Sequence, residues 1–182
     1  MRRILIGLTL ALIALPAAAD QAVDELVNIF AEACLTRFPD ETAIRHYAGE
    51  NRLAIMPDEQ LHRLLGTDPG EGWLQNTSRG QYPLTIEMPP YHTCAIRKAV
   101  AQQTVFLPVF SQTLTAWAAK QPGTSLKEMP SQTPNIDGLP STVYIWELHR
   151  GPDTQAEKLI AIVTNFSDGA AELRLARAIG NR

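Results

Sequence analysis

The stretch Leu84-Thr85-Ile86-Glu87-Met88-Pro89-Pro90-Tyr91-His92-Thr93-Cys94-Ala95-Ile96-Arg97 decides the fold class. Leu84, Ile86 and Met88 alternate with Thr85 and Glu87. After the Pro89-Pro90 break, Cys94 and Ile96 alternate with Thr93 and Arg97. Alternation of period two is the mark of a strand with one face on the core, so the stretch reads as two strands joined by a short link, which makes them antiparallel. Cys94 falls on the apolar face of the second.

Upstream, the period changes. Val23, Leu26, Val27, Phe30, Cys34 and Phe38 fall on one face of a helix, with Asp24, Asn28 and Glu32 on the other. Cys34 sits in the middle of the buried stripe. A helix cysteine and a strand cysteine, both aimed at the core, predict a Cys34–Cys94 disulfide that staples the first helix to a sheet and closes a loop of about 60 residues.

Export supplies the oxidising compartment that such a bridge needs. Arg2 and Arg3 precede an apolar run from Ile4 to Leu15, then Pro16 and the small residues Ala17, Ala18 and Ala19. This is the plan of a secretory signal peptide, and the run is too short for the ~20 residues of a membrane-spanning helix. Cleavage is expected between Ala19 and Asp20, which leaves no membrane anchor. The domain organisation is therefore a signal over residues 1–19 and one domain over 20–182, located in the periplasm or secreted.

The full chain of 182 residues has 16 basic and 19 acidic side chains. Without Arg2 and Arg3 the balance becomes 14 against 19, mildly acidic, which gives no electrostatic footprint for nucleic acid or anionic lipid.

The remaining chain reads in order. Phe38-Pro39-Asp40 is a break, with Asp40 the cap of a short helix over Glu41 to Tyr47. Pro57-Asp58-Glu59 opens a third helix that Gly66 ends. Trp73 to Thr77, Tyr82 to Met88 and His92 to Ala99 form a three-stranded meander. Helical spacing returns from Pro108 to Lys120. Residues 121–141 are an irregular connection containing a short strand at Ser125 to Met129. Thr142 to Arg150 and Lys158 to Phe166 form a hairpin across Gly151-Pro152-Asp153. The end, from Asp168 to Ile179, fits either helix or strand. The sum is an α+β domain: an antiparallel sheet of about five strands, helices mainly on one face, and one disulfide.

Motifs for chemistry are sparse. His46, His62, His92 and His149 fall in different elements without metal-ligand spacing, and no nucleophile elbow, His-Glu-x-x-His or phosphate-cradling glycine loop occurs. No metal, cofactor or catalytic residue is called for. His92, at the start of a strand and two residues from Cys94, reads as a histidine at the edge of the core, bonded to a backbone carbonyl. Trp73 after Gly70-Glu71-Gly72, and Tyr91 and His92 after Pro89-Pro90, place rigid aromatic groups on turns, a common form of partner anchor. Trp73, Pro90, Tyr91 and His92 are thus the candidate interaction surface.

Phe30-Ala31-Glu32-Ala33-Cys34, Phe38-Pro39-Asp40 and Pro89-Pro90-Tyr91-His92-Thr93-Cys94 together resemble a loose class of small exported proteins of Gram-negative bacteria. The resemblance covers residues 26–100 and implies fold and location, with no activity attached. Some members of the class look lipid-anchored, which needs a cysteine at the cleavage site; the first cysteine here is Cys34.

The function expected is that of a non-enzymatic binding or accessory protein of the cell envelope with a protein partner, including an inhibitor or immunity role. A motif-less hydrolase or isomerase with its site near His92 is the alternative, and it requires a deep pocket there. A component of a secretion or conjugation apparatus is the third reading.

Overall fold

The computed structural model describes residues 18–100, 106–151 and 156–180. The expected signal over residues 1–19 lies outside these except for Ala18 and Ala19, and the Pro152-Asp153 part of the hairpin link lies outside them too. No helix of the described residues is long and apolar enough to cross a membrane.

Helix α1 (Ala18–Phe30) runs on into a π-helical turn, Ala31–Leu35. Helix α2 (Glu41–Glu50) follows, capped as expected by the Asp40 side chain, which accepts from the Ala43 amide. Next come β1 (Ala54–Ile55) and α3 (Asp58–Leu65), with Pro57 at its N-cap and Gly66, at φ 64°, closing it in a conformation that favours glycine. Strands β2 (Gly70–Thr77), β3 (Gly80–Glu87) and β4 (Thr93–Val100) form the meander. Helix α4 (Phe106–Ala118) holds Pro108 in its first turn. It leads to β5 (Ser125–Glu128), β6 (Asn135–Ile136), β7 (Leu139–His149), β8 (Glu157–Asn165) and β9 (Ala171–Ala178).

The fold is α+β with one disulfide, but the sheet is larger than the expected five strands. Among the described residues it has nine, all antiparallel, in the order β1-β2-β3-β4-β9-β8-β7-β5, with β6 paired to β7. Strands β1 and β6 have two residues each, too few to show any period. The undecided C-terminal segment is β9, a central strand bonded to β4 on one side and β8 on the other.

Strand alternation gives the sheet two unlike faces. Leu84, Ile86, Cys94, Ile96, Leu173 and Leu175 point to one face and are buried under α1 and α4, where Leu26, Phe30, Phe110 and Leu114 complete the core. Cys34 and Cys94 are bridged, their Cα atoms 5.5 Å apart. Helix α2 joins this side through Ile44 and Tyr47 and through the Arg45–Glu71 ion pair at 2.7 Å. Helix α3 packs on the opposite face. A Cβ at Gly70 would collide with the Ile86 carbonyl and with Leu65 Cδ1, and one at Gly72 would stand 2.9 Å from Leu61 Cδ1. Gly70, which meets backbone, must be glycine for this packing, whereas at Gly72 only the ends of the flexible Leu61 and Met56 side chains would have to move.

The end of the π-helical turn has its own clamp. Arg177, 3% exposed, points from β9 to the helix side and donates through Nη1 to the carbonyls of Cys34 (3.2 Å), Leu35 (2.9 Å) and Phe38. Its Nε and Nη2 meet Glu157 Oε2 at 2.8 and 2.7 Å, and Arg150 Nε donates to Glu157 Oε1 at 2.6 Å. Carbonyls left over at a helix end are thereby satisfied by a buried side chain. Burial draws the Arg177 pKa below its ordinary value, and Glu157 opposes that shift.

Two buried phenols make the fold sensitive to alkali. Burial pushes Tyr47 up to about 12, helped by Glu32 and opposed by Arg37 and the Gln75 hydrogen bond. Burial also raises Tyr82, whose hydroxyl donates to Glu25 at 2.6 Å. Tyrosine in the unfolded chain ionises near ~10. A raised folded pKa gives stability that is complete below the unfolded value and lost as pH rises through the folded one. Burial lowers Lys98, which acts in the opposite sense up to its ordinary ~10.5. Urea midpoints are therefore expected to hold to about pH 10.5 and fall between there and about 12. Tyr47→Phe with Tyr82→Phe should flatten the fall; a wild-type midpoint constant across that range would contradict it.

Candidate functional site

The face of the sheet away from α1 and α4 is only partly covered. Helix α3 lies over β2 and β3. At the other side the segment before β7 is laced to it, Met129 N donating to Ile145 O at 2.9 Å and Gln132 bridging Val143. Between these, β7, β8 and β9 present Val143 opposite Ile162, Ile145 opposite Ile160, and Ala176 beside Ile160. The four β-branched residues are half-buried and contiguous, a cross-strand cluster on a side that antiparallel sheets usually give to polar residues.

They form the floor of a groove made of two adjoining cavities, of about 250 and 310 Å3, that share Ile162 and Arg174. Tyr91 lines the first and Phe166 the second, so an aromatic ring stands at each end. These two are 37% and 36% exposed; the one other large hydrophobic so exposed among the described residues is Ile55, at 82% on the edge strand β1. Isolated exposed apolar residues carry no message, but two at the ends of one apolar trough do.

Charged residues share the groove with the cluster: Arg174 stands beside Ile162 in the floor and Arg97 beside Arg174, and Arg63, Lys158, Asp137 and Glu172 also line it. Arg97 is fixed by Glu172 at 3.4 Å and by the Leu64 carbonyl at 3.2 Å, Arg174 by the buried Glu87 at 3.7 Å, and Arg63 by Glu59 at 2.6 Å outside the groove. Lys158 is exposed, and the sheet register sets it opposite Glu147.

The four residues expected to form an interaction surface do not stay together. Tyr91 lines the groove, and Pro90 is exposed beside it. Trp73 is 8% exposed, on the helix side of β2 within the core. His92, at φ 30°, turns the other way. Its ring meets Phe38 edge-on with centroids 4.6 Å apart, and the expected bond to a backbone carbonyl is not made: Nε2 is buried without a hydrogen-bond partner among the described residues, 3.5 Å from Glu41 Oε1 in an ion-pair contact. The backbone carbonyl of His92 accepts from Ile179 N at 3.0 Å. His92 lines neither cavity of the groove.

Phe166, Arg174 and the cluster on β7 and β8 were not among the candidates. A signal for the cluster exists: Val143-Tyr144-Ile145-Trp146 and Leu159-Ile160-Ala161-Ile162-Val163 are apolar on both faces, which an antiparallel hairpin with one wet side does not require. Among the described residues no group of three His, Cys, Asp or Glu stands together to hold a metal ion. The chain matches no protein-family model and no curated protein.

Proposed function

We propose that the protein is an exported, non-enzymatic binding protein of the cell envelope, and that the groove on the open face receives an apolar segment of a partner protein. The observation that carries this reading is the pairing of Tyr91 and Phe166 at the two ends of a preformed apolar trough. Rigid aromatics of this kind supply contact area with few rotamers to freeze, and the β-branched floor between them offers apolar surface to a partner's side chains. The Cys34–Cys94 bridge and the leader read at residues 1–19 support an oxidising location. For the alternative near His92, the packing of that ring on Phe38 supports a structural role instead.

Affinity capture from a periplasmic extract tests the reading by comparison of variants. Wild type and Ile55→Ser, altered on the far edge strand, are expected to recover the same partner. Tyr91→Ala with Phe166→Ala should lose it, each anchor being worth about 2 kcal/mol, or roughly 30-fold in Kd. Equal recovery by all three proteins would overturn the proposal.

A further inference from the structure

A second concavity lies on the opposite side of the sheet, at the end where the disulfide is. It is a cleft of about 810 Å3 between the π-helical turn, the C-terminal end of α4 and the adjacent ends of β7, β8 and β9. That volume is within the range of small-molecule sites. One wall is apolar, made by Leu35, Pro39, Ala116 and Trp117. The ionic groups are Lys120, Arg150, Arg177 and Glu157, three cations to one carboxylate, in a chain that is acidic as a whole.

What the cleft can still offer follows from what is already used. Glu157 accepts from Arg177 on one oxygen and from Arg150 on the other, so its charge is neutralised in the floor. Arg177 is committed to Glu157 and to three carbonyls, and its guanidinium carbon lies 5.1 Å from the Trp117 ring centroid. The hydroxyls are spent as donors: Thr36 gives its proton to the Ala31 carbonyl at 2.8 Å and Thr113 to the Val109 carbonyl at 2.9 Å. Lys120, exposed at the end of α4, forms no ion pair among the described residues, and Arg150 is 36% exposed. A ligand entering here meets an apolar wall and, at the mouth, a net positive charge carried by Lys120 and by Arg150, whose Nε is held by Glu157.

We propose that this cleft binds a small organic anion, its apolar body against Trp117 and Leu35 and its anionic group at Lys120 and Arg150. The site lies on the other face of the sheet from the groove and does not depend on the partner reading.

Two dyes test it. 1-Anilinonaphthalene-8-sulfonate has a flat apolar body and one anionic group, and N-phenyl-1-naphthylamine is an uncharged relative. With the intact, oxidised protein the sulfonate dye is expected to bind about tenfold more tightly than the neutral one. Lys120→Gln, at an exposed position outside any ion pair among the described residues, should weaken the sulfonate dye several-fold, and adding Arg150→Gln should bring its affinity down to that of the neutral dye. Ile160→Lys, in the groove, should leave it unchanged. Equal affinity of the two dyes, an unaltered sulfonate-dye Kd in Lys120→Gln, or loss of binding only in Ile160→Lys would each overturn the proposal.

Discussion

Replacing Arg177 by leucine is expected to destabilise the protein by about 3–5 kcal/mol, the range found when one partner of a buried ion pair is removed. The loss has two sources. Glu157, itself buried, keeps only Arg150 among the described residues, and the carbonyls of Cys34, Leu35 and Phe38 lose the donor that reached all three. For a chain of this size the melting temperature should fall by roughly 2–4 °C per kcal/mol. Removing the carboxylate as well, in Arg177→Leu with Glu157→Leu, should recover the part due to the uncompensated charge and leave the part due to the carbonyls. Arg177→Lys should fall between, because an ammonium keeps the charge but not the fork that contacts Glu157 through two nitrogens. Urea midpoints of the four proteins decide the matter. A leucine variant within about 1 kcal/mol of wild type would show that water replaces the guanidinium at no cost.

Arg177 also shows why part of the fold was hidden. In β9 the residues facing the helices are Ala171, Leu173, Leu175 and Arg177, in strict strand phase. An arginine in the apolar phase reads as solvent-facing, so the alternation breaks at the residue that is most committed to the core. Ala170-Ala171-Glu172-Leu173 adds helix-forming composition, and the segment stayed undecided. What decides it is pairing with β4 and β8, more than 60 residues and about ten residues away in sequence, which no local pattern contains. By contrast, Cys34 and Cys94 each lay in a pattern with one unambiguous period, and their two faces could meet only across a helix–sheet interface. The same clarity made the β7–β8 hairpin legible. Its outer face was not, because Val143, Ile145, Ile160 and Ile162 favour a strand whatever they face, and a local pattern does not contain what covers the second apolar side of each strand. Trp73 illustrates the converse. A tryptophan after two glycines looks like a turn residue, yet Gly70 and Gly72 serve α3 on one face while Trp73, between Gly72 and Leu74, points to the other.

Opening the Cys34–Cys94 bridge is expected to have an effect of comparable size by a different route. The bridge closes a loop with a sequence separation of 60 residues. In the chain-entropy model that constraint lowers the free energy of the folded state relative to the unfolded by about 4 kcal/mol. Cys34→Ala with Cys94→Ala should therefore move the urea midpoint down about as far as Arg177→Leu does. The two act on opposite sides of the equilibrium, and the slope of the transition separates them. Without the bridge the unfolded chain expands and exposes more surface, so the denaturant dependence should steepen; without Arg177 the unfolded chain is unaltered and the slope should hold. Both devices fix the same turn, since Arg177 bonds the carbonyl of the residue whose sulfur forms the bridge. If the bridge works only through the unfolded ensemble, the two losses add in the triple variant. If it also holds the turn within reach of the guanidinium, the cost of Arg177→Leu shrinks once the cysteines are gone, and the difference between the sums measures how much of the clamp depends on the staple.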